Sequence, residues 1–189
     1  MTQRGLHRVS LGSSKLVAPF TSNIDFSTAS ITDADSVNVT TTTDASPTGV
    51  NILFGRLSLE NSFGPETTNF PQPMRTEHFD GAGFITNLSD SCTSYNASKI
   101  SLTDISLDPA LTNVLGGTGN FLAGKTQEIK LEAPGSGNQG AIGVLYDAYN
   151  WLEYDWDSDG AHDDNPSALA TFGVFRGDDR VIYWREVYN

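Results

Sequence analysis

Five carboxylates crowd one stretch of this chain, residues 155–164, which reads Asp-Trp-Asp-Ser-Asp-Gly-Ala-His-Asp-Asp. Like charges packed this densely repel one another, so something must neutralise them. The order Asp-x-Asp-x-Asp-Gly is typical of calcium loops, in which alternate side chains converge on one side of a turning backbone and a glycine permits the sharp reversal. We therefore predict that this stretch binds one structural calcium ion.

The positions of a calcium loop assign the ligands. An EF-hand closes its cage with a glutamate at position 12, but here that position is Pro166, and the aromatic, Gly- and Pro-rich flanks do not resemble two helices. We expect instead a calcium loop set between strands. The predicted ligands are the carboxylates of Asp155, Asp157, Asp159 and Asp163, with Asp164 as the substitute for Asp163, and the main-chain carbonyl of Ala161.

The alternative is a solvated acidic turn, in which the aspartates accept hydrogen bonds from one another's backbone amides. Both interpretations must balance the charge of the loop. Residues 131–175 contain no lysine or arginine, so the carboxylates lack counter-ions in their own part of the sequence. A bound cation or open solvent must supply the balance.

The whole chain is acidic, with 11 basic and 23 acidic residues and a formal net charge of -12. Phosphate backbones and anionic lipid surfaces repel such a chain, so we predict no nucleic-acid partner. No apolar run approaches the ~20 residues of a membrane-spanning helix, and we expect no direct membrane insertion. Cys92 is the only cysteine, which excludes an intrachain disulfide.

Short strands must position these residues, because β-branched and aromatic residues alternate with polar ones in runs that Gly, Pro, Asn, Asp and Ser interrupt. We predict an all-β fold, an antiparallel β-sandwich with few or no helices. Alternation after Gly55 places Leu57 and Leu59 on the core face. The residues expected on the solvent face are Arg56, Ser58 and Glu60. The candidate strands are residues 15–18, 24–26, 37–42, 51–60, 74–79, 83–86, 100–107, 128–132, 141–145, 170–176 and 181–187.

The length of 189 residues suits one domain. We expect a flexible N-terminal segment over residues 1–14 and one β-sandwich domain over residues 15–189, with an internal boundary near residues 43–50 left open. A Gly-Asp pair at 177–178 predicts a hairpin between the last two candidate strands. The segment 1–5 lacks the apolar core of a signal peptide, so an exported protein would have to be longer than this chain.

Two glycine motifs match phosphate-binding patterns in letters only. Residues 119–126 spell G-x-x-x-x-G-K-T, but the residues after Lys125 alternate and end at a proline, which predicts a strand where a phosphate loop needs a helix. Residues 135–140 spell G-x-G-x-x-G, yet another candidate strand follows them, so we predict a glycine hairpin turn. Nucleotide binding is therefore disfavoured.

Catalysis has no positive signal in the sequence. The three histidines, His7, His78 and His162, lie in no recognisable catalytic setting. We expect His78 on a strand beside an exposed Glu77, and His162 facing solvent because calcium prefers oxygen ligands. A hydrolase would need two close carboxylates with pKa values shifted apart, and no pair stands out. We predict that the chain is not an enzyme.

Aromatic residues concentrate around the acidic loop. They are Tyr146, Tyr149, Trp151, Tyr154, Trp156, Tyr183, Trp184 and Tyr188. Aromatic rings beside a calcium loop could stack on sugars, as in many lectins. We favour the simpler interpretation that most of these rings belong to the core or pair across neighbouring strands.

Several motifs in series resemble a known family. They are FGRLSLENSFGPE at 54–66, PMRTEHFDG at 73–81, NLSDSCT at 87–93, LEAPGSGNQG at 131–140, YDWDSDG at 154–160 with DDNP at 163–166, ATFGVFRG at 170–177 and YWREVY at 183–188. In this order they resemble the C-terminal region of MshQ-like MSHA (type IV pilus) biogenesis proteins, over roughly residues 24–189.

That resemblance implies a protein of the envelope or surface of a Gram-negative bacterium, and it implies no enzymatic activity. The expected partners are other domains of a longer protein or pilus components. Together with the acidic loop, it predicts a non-catalytic surface or pilus-associated module with a structural calcium ion. The alternative prediction is a calcium-dependent carbohydrate-binding adhesin module.

Overall fold

The computed structural model describes residues 50–174, together with Pro19, Thr21–Ile24 and Asp35. In this part of the chain short strands dominate, and the helical residues form two 3-10 turns, Ala97–Lys99 and Pro109–Leu111. The strands are β1 Thr21–Ile24, β2 Val50–Leu53, β3 Gly55–Leu59, β4 Ser62–Gly64, β5 Phe70–Pro71, β6 Met74–Phe79, β7 Phe84–Thr86, β8 Ser94–Asn96, β9 Ile100–Asp104, β10 Val114–Leu115, β11 Thr118–Asn120, β12 Lys125–Thr126, β13 Lys130–Leu131, β14 Gly140–Tyr146 and β15 Ser167–Phe172. The predicted all-β fold is confirmed.

Two four-stranded sheets form the body of the described structure. In the first, β6 lies between β12 and β3 and also pairs with β7, and every pair is antiparallel. The second has the strand order β4, β15, β14, β9. Its β14 is antiparallel to both neighbours, whereas β4 runs parallel to β15, which the sequence pattern did not indicate. A long connection between β4 and β15 permits this parallel pair.

Three smaller ladders complete the described strands. The strands β10, β13 and β5 form one antiparallel sheet, and β8 pairs with β11. The strands β1 and β2 form the third, with Thr21 opposite Leu53.

Side chains from both four-stranded sheets meet in one hydrophobic core, the arrangement of a β-sandwich. The first sheet contributes Leu57, Leu59 and Met74, and the second contributes Ile142, Val144, Tyr146, Ala168, Ala170 and Phe172. Leu57 and Leu59 lie on the core face, as alternation predicted. The 3-10 turns are held at their starts by side chains, because Asn96 and Asp108 accept hydrogen bonds from the amides of Ser98 and Ala110.

The opposite face of β3 and β6 meets solvent only in part: Glu60 is exposed, as the sequence predicted, but most of the face is covered. Ser58 is only 6% exposed and Glu77 only 4%, so the predictions of a wet Ser58 and an exposed Glu77 are wrong. Arg56 lies opposite Glu77 and Arg75 lies opposite Ser58 in the ladder. These arginines, and aromatic rings from a distant part of the chain, cover the face.

Both glycine motifs lie in turns. Leu122 and Lys125 form an antiparallel bridge across a two-residue turn, in which Ala123 and Gly124 have φ of 48° and 70°. Two left-handed residues are typical of a tight hairpin turn. The short strands β12 and β13 follow where a phosphate loop needs a helix, and β13 lies within the predicted strand 128–132. Residues 135–140 also turn the chain, but β13 and β14 belong to different sheets. The predicted hairpin is therefore wrong at this motif.

Several predictions lie outside the described residues. They are the flexible segment 1–14, the strands 15–18, 37–42 and 181–187, the hairpin at 177–178, and most of the boundary region 43–50. Within the described part, no helix has both the length and the apolar character needed to cross a bilayer.

Candidate calcium loop

Main-chain hydrogen bonds close the acidic loop at its base. The amide of Tyr154 donates to the carbonyl of Asp164 at 3.2 Å, and the amide of Asp164 donates to the carbonyl of Tyr154 at 3.0 Å. Just before this bridge, the amide of Leu57 donates to the carbonyl of Leu152 at 2.8 Å. The loop is thereby anchored to β3, an edge strand of the first sheet.

Three of the predicted ligands converge inside the loop. One carboxylate oxygen from each of Asp155, Asp157 and Asp159 lies within 4.8 Å of the other two. Calcium binds oxygen at about 2.3–2.6 Å, so a single ion can contact three oxygens spaced in this way. The backbone turns sharply between and beyond them, with φ of 65° at Ser158 and 92° at Gly160. Glycine at position 6 makes that reversal without steric cost.

Backbone amides donate hydrogen bonds to one oxygen of each of these three carboxylates. The amide of Asp159 donates to Oδ1 of Asp157 at 3.1 Å, and the amide of Ala161 donates to Oδ1 of Asp159 at 2.7 Å. The amide of Gly160 donates to Oδ2 of Asp155 at 3.1 Å. These are the hydrogen bonds of an acidic turn, and they leave one oxygen of each carboxylate for another partner. Oδ1 of Asp155 is buried and accepts no hydrogen bond.

The structure separates the two residues that sequence reasoning treated as interchangeable. Oδ2 of Asp164 accepts from the amides of Trp156 and Asp157 at 2.9 and 3.1 Å, so this carboxylate lies against the start of the loop. Asp163 is exposed, and neither Asp163 nor Asp164 belongs to the converging group. The backbone amide of Ala161, whose carbonyl is a predicted ligand, donates a hydrogen bond within the loop. Asp164 is thus tied by hydrogen bonds to the first residues of the loop.

Mutual repulsion is visible in the ionisation of Asp157. The amide of Asp159 is the largest influence and lowers the pKa of Asp157, but desolvation and the carboxylates of Asp159, Asp164 and Asp155 together raise it above the ordinary value. No salt bridge between residues 50 and 174 reaches any of the five aspartates. A cation bound among these oxygens would remove the repulsion.

The guanidinium of Arg56 lies beside the loop but is paired with a carboxylate outside it, that of Glu77. The guanidinium of Arg56 lies 3.8 Å from the ring centroid of Phe84 and 4.7 and 4.6 Å from those of Tyr154 and Trp156. Its Nε donates to Glu77 at 2.7 Å. Sequence reasoning treated Arg56 only as a strand residue, because nothing in the sequence places it beside rings so far along the chain.

His162 is half-buried rather than turned to solvent as predicted. Its ring packs edge-to-face on Phe54 and Tyr154, with centroids 5.9 and 5.3 Å apart. Its Nδ1 is buried without a hydrogen-bond partner. The histidine therefore belongs to the aromatic cluster at the base of the loop.

Two tryptophans in or near the loop are exposed, Trp156 at 38% and Trp151 to a greater extent. Trp151 is 70% exposed and stacks on Tyr149 with centroids 4.7 Å apart and planes 5° apart. The hydroxyl of Tyr149 is hydrogen-bonded to that of Ser94 at 2.8 Å, and the ammonium of Lys99 lies 4.8 Å from the Tyr149 ring. Tyr146 is buried in the core, as the simpler interpretation predicted. Tyr183, Trp184 and Tyr188 lie outside the described residues.

Comparison with known proteins identifies a family. The model of the family described as DUF6701, fourth domain, matches residues 53–187, which include both four-stranded sheets and the acidic loop. No curated protein matches the chain, and no solved structure matches it. The family match covers well over half of the sequence, so the chain belongs to the DUF6701 fourth-domain family, a domain of unknown function.

Proposed function

We propose that this chain is a non-catalytic module of the bacterial cell surface or of a type IV pilus, and that its acidic loop holds one structural calcium ion. The convergence of Asp155, Asp157 and Asp159 carries the proposal. Three carboxylates that meet without a cationic side chain from residues 50–174, and that include a buried oxygen without a donor, form a donor set suited to a hard divalent cation.

The ion would connect the loop to the sandwich. Asp155, Asp157 and Asp159 would bind through carboxylate oxygens and Ala161 through its carbonyl, with Asp164 or Asp163 completing the set. Because the loop begins and ends at the bridge between Tyr154 and Asp164, cross-linking its interior would hold the segment that pairs with β3. An ion bound only by the native state stabilises that state by mass action.

Membership of the family supports a module within a larger protein. The description of the family as a fourth domain fits partners among other domains of the same protein. The motifs at 54–66, 73–81 and 154–160 support the narrower proposal that the chain is the C-terminal region of an MshQ-like protein of MSHA pilus biogenesis. On that proposal it works in the envelope or on the surface of a Gram-negative bacterium, and pilus components are further partners.

Thermal unfolding tests the calcium proposal. We expect the melting temperature to fall when calcium is chelated and to recover when calcium is returned. Asp157→Asn should lose this response, whereas the matched control Asp104→Asn, an exposed aspartate of β9, should retain it. Terbium should bind in place of calcium and show emission sensitised by Trp156. Identical melting in chelator and in calcium, with no sensitised terbium emission, would contradict the proposal.

The stacked pair of Trp151 and Tyr149 favours a second candidate, a calcium-dependent carbohydrate-binding adhesin module. An exposed ring whose orientation is fixed by a parallel neighbour offers a flat apolar face to a sugar. Glycan-array binding in the presence of calcium, lost in Trp151→Ala with unchanged melting, would support this function. Absence of binding to every glycan on the array would leave the calcium module as a scaffold.

A further inference from the structure

The outer face of the second four-stranded sheet carries several large apolar side chains among serines and threonines. In β14 and β15 alternate side chains enter the core, and the others point away from it. The large apolar side chains exposed on or beside this face are Phe63 (80%), Ile105 (58%), Leu169 (43%) and Leu145 (37%). A sheet face that meets water is normally dominated by polar residues. This face therefore resembles one that is covered.

A shallow groove of about 400 Å³ runs across the face. The register places Thr103, Gly143 and Leu169 in one row across three strands. A Cβ at residue 143 would collide with the hydroxyl of Thr103, so glycine keeps the floor of the groove low. The residues that line the groove include no charged side chain, although the chain carries a net charge of -12. A strand whose side chains are mostly apolar suits such a groove.

The geometry points to the C-terminal residues 181–188 of the same chain as the occupant of this groove. They read Val-Ile-Tyr-Trp-Arg-Glu-Val-Tyr, with six apolar or aromatic side chains among eight residues. The chain leaves β15 at Phe172, in the sheet that forms the groove, and the amide of Gly173 still donates to Gly64 at 2.9 Å. Residues 175–189 would reach ~50 Å if extended, far more than the ~20 Å length of a six-residue strand.

Two further observations favour this segment over the other residues that lie outside the described structure. The family match extends to residue 187, so most of the segment belongs to the same domain as the groove. Residues 25–34 and 36–49 consist largely of Ser, Thr, Asp and Ala, and residues 1–18 together with Phe20 contain one aromatic residue, against three in residues 181–188. None of these segments offers a comparable apolar surface.

Trp184 reports on the proposal directly. In the full chain with Trp151→Phe and Trp156→Phe, Trp184 is the only tryptophan. We expect its emission to be blue-shifted and protected from iodide quenching. Leu169→Lys should shift the emission to the red and increase quenching. Leu88→Lys, at a residue that is 68% exposed in the turn after β7, is the matched control and should change neither.

Other outcomes would overturn the proposal. Trp184 emission equal to that of the unfolded chain means that the segment does not dock. Protection that depends on protein concentration identifies a second copy as the occupant. Should Leu169→Lys fail to fold, Phe63→Lys changes a side chain that is 80% exposed and serves instead. We also expect faster hydrogen exchange in β14 when the chain ends at Val174; unchanged exchange, or faster exchange only on removal of residues 1–18, contradicts the assignment.

Discussion

Two clusters of carboxylates in this domain are neutralised in different ways. On the outer face of β3 and β6, Glu77 accepts hydrogen bonds from Nε of Arg56 at 2.7 Å and from Nε of Arg75 at 2.6 Å, and Arg75 also reaches Glu60. In the acidic loop, the carboxylates of Asp155, Asp157 and Asp159 accept hydrogen bonds from backbone amides, and no cationic side chain of residues 50–174 pairs with them. Within this part of the chain the first cluster carries its own cations, and the second does not.

The difference follows from where the cations stand in the sequence. Arg56 and Arg75 occupy paired strands, so folding itself brings them to Glu77. The acidic loop lies in a stretch without lysine or arginine, and the neighbouring Arg56 is already paired with Glu77 and enclosed by aromatic rings. When the chain supplies the neutralising side chains, stability does not require a cation bound from solution. Neutralisation from solution makes it depend on dissolved cations, and the predictions below test this contrast.

The largest expected effect is on the self-neutralised cluster. Glu77→Gln removes a buried charge between two arginines and should lower the free energy of unfolding by about 3 kcal/mol, because the half-buried Arg56 loses its carboxylate partner whereas Arg75 keeps Glu60. Denaturant unfolding should give the same loss in chelator and in calcium. Glu60→Gln, in a solvent-exposed pair, should cost less than about 1 kcal/mol. A loss of unfolding free energy for Glu77→Gln that appears only in chelator or only in calcium would contradict the conclusion that this cluster is neutralised by the chain itself.

The next effect belongs to the acidic loop of the unsubstituted chain. At a free calcium concentration a hundredfold above Kd, binding should raise the free energy of unfolding by about 2.7 kcal/mol over the value in chelator. Glu77→Gln should gain the same increment, because its cluster is neutralised separately. Denaturant titrations in the two media measure both values. An increment that disappears in Glu77→Gln would show that Arg56 joins the clusters into one unit.

A single buried carboxylate sharpens the comparison. Burial is the largest influence on the pKa of Asp90 and raises it, but hydrogen bonds from the amide and hydroxyl of Thr93 and the amide of Cys92 bring it below the ordinary 3.8. Ionised Asp90 therefore stabilises the fold above pH 3.8, and this contribution is lost as the pH falls through the folded-state pKa. Hydrogen bonds from neighbouring amides and hydroxyls suffice for one carboxylate, whereas the three carboxylates of the acidic loop repel one another.

We expect Asp90→Asn to lower the free energy of unfolding by about 1 kcal/mol at pH 7, since the remaining amide oxygen is a weaker acceptor. The loss should shrink in acid, where Asp90 itself becomes protonated. Asp80→Asn is the control, because Asp80 accepts from the amides of Ala82 and Gly83 in an exposed turn and should cost less. Unfolding curves at several pH values measure both variants; equal losses would contradict a role for burial.

The sequence predicted those features that depend on neighbouring residues. The strand 74–79 was predicted with the bounds that β6 has, because six alternating residues suffice to show period two. The convergence of Asp155, Asp157 and Asp159 was predicted for a similar reason, since their spacing and Gly160 act locally. Strands β5, β10, β12 and β13 have two residues each, too few to show a period, and only β13 fell within a candidate run.

Features that join distant segments could not be predicted from the sequence. Ser58 and Glu77 are buried because arginines and rings from another part of the chain cover their face, and period two gives only the side of a strand, not what covers it. The choice between Asp163 and Asp164 depends on the bridge to Tyr154, which turns Asp164 toward the start of the loop. Alternation and spacing carry no information on such contacts.

The smallest expected effect tests the sign of the charge in the acidic loop. The pKa of Asp157 is raised, so the folded protein holds a proton more tightly than the unfolded chain, and ionisation destabilises the fold as the pH rises from 3.8 through the folded-state value. Asp157→Asn removes that charge and keeps an oxygen for the amide of Asp159. In chelator at pH 7 it should therefore melt slightly above the unsubstituted chain.

Two conditions should abolish or reverse that advantage of Asp157→Asn. Below pH 3.8 the aspartate is protonated in both states, so the two proteins should melt together. In calcium the order should invert, because the variant lacks a charged ligand while the unsubstituted chain gains the bound ion. A variant that melts below the unsubstituted chain in chelator at pH 7 would mean that Asp157 is already neutralised within the chain. The two clusters would then not differ in the way their structures indicate.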